Sequence, residues 1–274
     1  MLVIGLTGSI ATGKSTVSSI LSKPPYSMPI IDADVLARKV VEPGTKGYKA
    51  IVAEFLPSTP DLLVPASESM PEDGPDGKGR PLNRPALGRR IFGDGEERKA
   101  ARARLNGIVH PAVRREMGLG VLRAYARGHG AAVLDVPLLF EGGLDRFCGA
   151  TLVVGVRDPE VQMERLRARD AHLSAEEARD RVRSQEDVRV RAARSEARGR
   201  GRGYVVWNDG TREELELQLG EVVRDVEERN PGWWNGLLLV CPPLALAVAA
   251  WRVLEAGRMN REWAKMEADV KAKL

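Results

Sequence analysis

Gly8-Ser9-Ile10-Ala11-Thr12-Gly13-Lys14-Ser15 follows the spacing G-x-x-x-x-G-K-S. That spacing suits a triphosphate. Gly8 and Gly13 permit backbone conformations and close approaches that a Cβ would obstruct. Successive N–H groups can then line a concave nest at a helix N-terminus, where partial positive charge favours phosphate oxygens. Gly8 to Ser15, with Thr16 beyond, is therefore the candidate cradle for ATP. Lys14 would reach the β- and γ-phosphates, and the Ser15 hydroxyl would ligate Mg2+.

Acids form the second set. Asp32 and Asp34 end the short apolar run Pro29-Ile30-Ile31 and precede helical periodicity from Val35 to Val41. At the carboxyl end of a strand they could position or deprotonate an acceptor hydroxyl, or hold metal-bound water. Equally, Asp34 could cap the helix and Asp32 serve the turn. Asp135 ends the apolar run Ala131 to Leu134, where a metal-holding partner for the phosphate loop would stand; it could also be a capping acid at a strand end.

Arginines form the third set. Asp158-Pro159 opens a helix to about Arg169 that presents Arg165 and Arg169 on one face. Ser174-Ala175-Glu176-Glu177 reads as a capping box before a helix from about Ala175 to Ala197, bearing Arg179, Arg183, Arg189, Arg191 and Arg194. Such a helix pair after a strand is similar to the lid of a nucleotide kinase, where arginines neutralise charge during phosphoryl transfer. The alternative is an exposed helix pair laced with salt bridges. Asn208, at the end of Tyr204-Val205-Val206-Trp207, stands where a base could be read.

The elements that must position these groups alternate strand and helix. Strands are expected at Leu2–Leu6, Pro29–Asp34, Ala131–Pro137, Thr151–Val156 and Tyr204–Trp207. The pattern predicts an α/β fold with a five-stranded parallel sheet flanked by helices. A helical insertion over about 44–128 would cover the acceptor, with helices at 47–56, 82–92, 96–109 and 111–125. Its Arg84, Arg89, Arg90, Arg114 and Arg115 could meet an anionic acceptor. A lid would occupy about 159–198. Residues 57–81, rich in Pro, Ser, Asp and Gly, read as a mobile surface insertion that buries little. The kinase-like part would end near residue 229, after a helix capped by Thr211-Arg212-Glu213-Glu214.

The chain has 274 residues, a formal charge of +4, 43% hydrophobic residues and two cysteines. Two cysteines far apart argue for a reducing compartment rather than a disulfide framework. No cleavable leader is expected before the first strand. Three scattered histidines suggest no zinc cluster. Residues 230–274 differ in character: Trp233 to Trp251 carries no charge and has tryptophan at both ends. Its length approaches the ~20 residues of a spanning helix, while Pro242-Pro243 would kink it or make it re-entrant. Arg252, Arg258 and Arg261 follow, which favours a dip or hairpin with both flanks in the cytosol. The alternative is a soluble apolar helix packed on the core.

Together, Gly5-Leu6-Thr7-Gly8 through Thr16, Ile31-Asp32-Ala33-Asp34-Val35-Leu36-Ala37-Arg38, Val41-Glu42-Pro43-Gly44, Ile108-Val109-His110-Pro111 and Val136-Pro137-Leu138-Leu139-Phe140-Glu141 resemble the dephospho-CoA kinases, as does the segment Gln162 to Asp170. The resemblance covers roughly Met1 to Leu219. It implies a P-loop kinase core, a helical acceptor domain and a lid. It also implies transfer of the ATP γ-phosphate to the ribose 3′-hydroxyl of dephospho-CoA, the last step of CoA synthesis. Carried over, Asp34 would be the base, Lys14 the phosphate clamp, Ser15 the Mg2+ ligand, and Arg165 or Arg169 the lid contact. Ser9 and Ala11 stand where the family usually has glycine; since Gly8 and Gly13 are kept, a working nest is expected. The apolar tail is similar to an addition in some eukaryotic members, which implies a cytoplasmic enzyme tethered to the cytosolic face of an organelle membrane, endoplasmic reticulum or outer mitochondrial.

Three rivals make distinct demands. A nucleoside-monophosphate kinase would share loop and lid but not the D-A-D-x-x-A-R and V-P-L-L-x-E segments. A regulatory NTPase would carry a base-reading N-K-x-D motif, which the sequence lacks. A membrane-anchored nucleic-acid binder would interleave lysines with aromatics; aromatics are 5% here, so no nucleic-acid partner is expected.

Overall fold

The structure is a computed structural model that describes residues 1–170, 175–183 and 187–272. Five strands form one sheet in the order β2-β3-β1-β4-β5. They are β1 (Leu2–Gly8), β2 (Ile30–Asp32), β3 (Ala131–Asp135), β4 (Ala150–Gly155) and β5 (Gly203–Trp207). β1 pairs in parallel with β3 and with β4, and β4 pairs in parallel with β5. β1 and β4 are apolar on both faces because helices cover both. On one face Val17 and Leu21 of α1 (Lys14–Ser22) meet Leu215, Leu219, Val223 and Val226, the buried stripe of a later helix at Arg212–Arg229. β1 lies between β3 and β4, so its carboxyl end, where the phosphate loop begins, is flanked by the ends of both neighbours, the place where open α/β sheets take their ligands.

The chain divides into two compact units, one of Met1–Ile31 with Val121–Leu274 and one of Asp32–Gly120. The second is helical: α2 (Ala33–Lys39), α3 (Lys46–Phe55), α4 (Arg84–Ile91) and most of α5 (Glu96–Ala126). Its core gathers Ile51, Phe55, Leu62, Leu87, Ile91 and Ala101.

Two expectations are corrected. Helices over 96–109 and 111–125 are a single α5 that runs through Pro111. A proline ring removes one N–H donor and crowds the carbonyl four residues back, here that of Gly107, yet the helix continues through it. Residues 57–81 are mostly exposed, as expected, and are anchored at a few points. Leu62 is fully buried, Leu63 bridges Leu82, and the Tyr48 hydroxyl donates to the Arg80 carbonyl at 2.6 Å. Finally, after α6 (Pro159–Arg169), the helix expected over 175–197 is two helices, α7 (Ala175–Arg183) and α8 (Val188–Glu196), the latter capped by Asp187. The capping box at Ser174, and His172 beside it, lie outside the described residues. The later caps are as expected: Asp158 caps α6 with Pro159 at its first position, and Thr211 and Glu214 form the capping box of α9 (Arg212–Arg229).

The tail forms α10 (Gly232–Val240) and α11 (Pro242–Ala272), bent by 115° at the break before Pro242-Pro243. Among the described residues no single helix is long and apolar enough to cross a membrane; the bent pair passes on length and composition together. One side of the tail lies on the core. Leu238 and Ala256 are buried, the Tyr125 hydroxyl donates to the Leu238 carbonyl at 2.6 Å, and Arg202 pairs with Glu255 at 2.6 Å.

Candidate active site

The phosphate loop is held open by its carbonyls. Gln162 Nε2 donates to the Ile10 carbonyl at 2.6 Å, Asn208 Nδ2 to the Thr12 carbonyl at 2.9 Å, and Thr12 Oγ1 to the Ser9 carbonyl at 2.9 Å. A trans peptide sets its C=O and the following N–H in opposite directions. With the carbonyls of Ser9, Ile10 and Thr12 so engaged, the N–H groups of Ile10, Ala11 and Gly13 are turned the other way, as a phosphate nest requires. Two glycines are obligatory. A Cβ on Gly8 would stand 2.6 Å from the Val154 carbonyl oxygen, and Gly13, at φ 93°, would press one to 2.3 Å from Asn208 Nδ2. Ala11 also adopts a left-handed φ of 59°, so this non-glycine residue carries backbone strain on the order of 1 kcal/mol. Ser9 Oγ is buried with no hydrogen-bond partner among the described residues, a donor that a phosphate oxygen would satisfy.

Lys14 opens α1 and its ammonium is ion-paired with Asp135, whose carboxylate is almost fully buried at the end of β3. Ser15, next on the helix, is exposed. A hydroxyl and a carboxylate are hard oxygen donors, and Mg2+ takes one or two protein oxygens and fills its shell with phosphate and water. The described residues contain no group of three or more His, Cys, Asp or Glu that could hold a metal. The donor set therefore fits Mg2+ delivered with a nucleotide better than a metal held by protein alone.

In the helical unit the two neighbouring acids divide their roles. Asp32 caps α2, accepting from the N–H groups of Asp34 at 2.8 Å and Val35 at 3.0 Å. Asp34 is thereby spared the cap; its exposed carboxylate makes no hydrogen bond or ion pair among the described residues. It lines a cleft of about 610 Å³ with Arg38, Glu42 and Arg84 on an apolar wall that includes Val41, Ile51, Leu82 and Leu105. Of the other arginines expected near an acceptor, Arg89 pairs with Asp61 at 2.5 Å and Arg90 with Glu97 at 2.7 Å. Arg114 and Arg115 are exposed and do not line the cleft.

The arginines after β4 separate into two groups. Arg165 Nη1 donates to the Asn208 carbonyl at 2.7 Å, which places it beside the residue that holds the loop. Arg169 pairs with Asp170 at 2.9 Å, and Arg181 approaches the same carboxylate at 3.6 Å. The helix α8 belongs with the sheet: Val188 and Ala192 pack with Phe140 and Val153. On it Arg191 is fully buried and ion-paired with Glu141, while Arg194 lies 4.8 Å over the Phe140 ring. Gln162 is the loop-holding residue that the sequence reading did not single out. Its signal is a glutamine on the face of α6 that also presents buried Leu166.

The sequence model of the family described as dephospho-CoA kinase matches residues 2–211. The dephospho-CoA kinase CAB5 of Saccharomyces cerevisiae is 42% identical over 95% of this chain and 96% of its own length. The dephospho-CoA kinase of Bacillus cereus is 40% identical over 82% of this chain and 96% of its own. The yeast alignment thus takes in most of the tail. Among solved structures, TT1252 from Thermus thermophilus matches with a TM-score of 0.59 and 31% identity, over 82% of this chain and 97% of that one.

Proposed function

Since this chain belongs to the dephospho-CoA kinase family, and so phosphorylates dephospho-CoA with ATP in the final step of CoA synthesis, we propose the following roles for its residues. The nest from Gly8 to Thr16 holds the β- and γ-phosphates, with Lys14 neutralising their charge. Asp34 accepts the proton of the ribose 3′-hydroxyl as that oxygen bonds to the γ-phosphorus, and the bond from phosphorus to ADP breaks. Arg165 supplies positive charge from the lid. Ser15 and Asp135 would hold Mg2+, which when bound offsets negative charge on the phosphates. Arg38 and Arg84 offer cations to the acceptor's diphosphate, and the apolar wall of the cleft suits its uncharged portions.

The observation that carries this reading is the division of labour between Asp32 and Asp34. The capping alternative would have consumed Asp34; Asp32 does the capping instead. Asp34→Asn in the full chain is expected to lower turnover of dephospho-CoA by at least about 10²-fold while ATP affinity stays within twofold. A variant that binds ATP and still turns over at the parent rate would sink the assignment. AMP and shikimate run as parallel acceptors test the acceptor class.

We also propose that the tail associates with the cytosolic face of an organelle membrane. Supporting this are the uncharged stretch Trp233–Trp251 and its bend at Pro242-Pro243, which lets both flanks stay on one side. Large apolar side chains are exposed on both tail helices.

A further inference from the structure

We propose that Arg191 and Glu141 are positioning residues for phosphoryl transfer: they clamp the loop that follows Asp135 and so fix that carboxylate against Lys14. The inference rests on the role given above to Asp135.

The clamp is built on one carbonyl. Pro137 stands two residues beyond Asp135, and its carbonyl accepts from two directions. Thr7 Oγ1 donates to it at 2.9 Å, and Thr7 directly precedes Gly8 of the phosphate loop. Arg191 Nη1 donates to it at 3.4 Å from α8, while Nη2 of the same guanidinium is bonded to the Glu141 carboxylate. Between them the Val136 N–H donates to the Leu6 carbonyl at 3.0 Å. The residues from Asp135 to Glu141 are therefore tied at one end to β1 and at the other to α8.

The choice of arginine is informative. Its side chain is 1% exposed, and taking a guanidinium out of water is costly. A hydrophobic side chain of similar volume would fill the space without that cost. Unlike such a side chain, the guanidinium donates to two acceptors of one loop at once, from two nitrogens held in a rigid fork. Its base is rigid, since Val188 and Ala192 of the same helix pack into the sheet against Val153. Glu141, about one-third exposed, supplies the opposite charge and draws the far end of the loop onto the guanidinium. With the loop so held, Asp135 has little freedom to swing away from Lys14.

The test uses the full chain and the variants Glu141→Gln and Arg191→Lys, with Asp135→Asn as reference. Calorimetry measures ADP affinity with and without Mg2+, steady-state assays give kcat and the KM for dephospho-CoA, and a thermal melt reports folding. Residues behind metal ligands typically change metal affinity or activity by about 10- to 100-fold. Glu141→Gln should thus cut the Mg2+ enhancement of ADP affinity by about tenfold and lower kcat, with the KM for dephospho-CoA within twofold of the parent. Arg191→Lys, which keeps the charge but replaces the planar fork by a single nitrogen, should lie between, and it carries the test if Glu141→Gln is recovered unfolded. A lower melting temperature with kcat and the Mg2+ enhancement unchanged would show a purely structural pair and overturn the proposal. Were Asp135→Asn itself to leave the enhancement intact, the role of Asp135 would fall and the clamp with it.

Discussion

The Lys14 ammonium and the Asp135 carboxylate are ion-paired across the carboxyl ends of two adjacent strands, with the carboxylate 3% exposed and the lysine 19%. The asymmetry in exposure predicts an asymmetry in mutation. Lys14→Met takes the cation from a buried carboxylate and should destabilise by about 3 kcal/mol. Asp135→Asn leaves a lysine that still reaches water and should cost about 1 kcal/mol. Urea unfolding of the two variants decides the order. Both should lose activity, because a preorganised charge at the transferring phosphate contributes about 10²- to 10³-fold.

Asn208 and Gly13 are expected to behave as one unit. Asn208→Ala removes the donor to the Thr12 carbonyl, so stability should fall by about 1–2 kcal/mol and ATP affinity should drop with it. Gly13→Ala forces a Cβ onto Asn208 Nδ2 and keeps a left-handed φ, so ATP binding should fall below detection. Combining the two relieves the collision but not the backbone strain. The double variant should bind better than Gly13→Ala and worse than Asn208→Ala in a nucleotide titration. Simple additivity of the two losses would argue against the contact.

What was legible in the sequence was local. The strand–loop–helix context of Gly8–Ser15, the Asp158-Pro159 start and the Thr211–Glu214 box each depend on residues a few positions apart, and each stands as expected. The family segments identified the reaction for the same reason, since each is short and contiguous. What escaped reading acts across the chain. Gln162 meets Ile10 across 152 positions and Arg191 meets Glu141 across 50, and no periodicity encodes such partners. Pro111 misled because proline is a strong breaker on average, whereas this helix continues through it. Residues 57–81 are mostly exposed as their composition predicts, but composition averages over Leu62, one apolar anchor in a polar stretch. Ala11 shows the converse: a position the G-x-x-x-x-G-K-S signature leaves open to any residue still takes a left-handed backbone.

The tail should bind lipid without spanning it. Trp233, Val240, Leu246 and Trp251 are 72%, 83%, 72% and 59% exposed, while Leu238 and Ala256 face the core. Full-length protein is expected to float with vesicles of phosphatidylcholine and phosphatidylserine, with a blue shift in tryptophan emission. Replacing Trp233, Leu246 and Trp251 together by serine should abolish flotation and leave kinase activity in solution unchanged. Flotation that survives the triple replacement would place lipid contact elsewhere on the chain.

Cys148 gives the fold a sensitivity to alkali that the other cysteine should not share. Its side chain lies against Gly5 in the core, and burial pushes the thiol up to about 12, with Arg198 pulling weakly the other way. An unfolded thiol titrates near pH ~8.5. Between about pH 9 and 12 the unfolded chain has therefore released a proton that the folded chain keeps. The unfolded state binds fewer protons there, so stability falls as pH rises, by about 1.4 kcal/mol per pH unit from this group. Urea unfolding of Cys148→Ala should show a shallower decline between pH 8 and 10.5 than the parent. Cys241→Ala, at a half-buried position, should follow the parent's slope. The same burial predicts that a thiol reagent at pH 8 labels Cys241 quickly and Cys148 only at the rate of unfolding. Rapid labelling of both thiols in the folded chain would contradict the buried, protonated state from which the pH dependence follows.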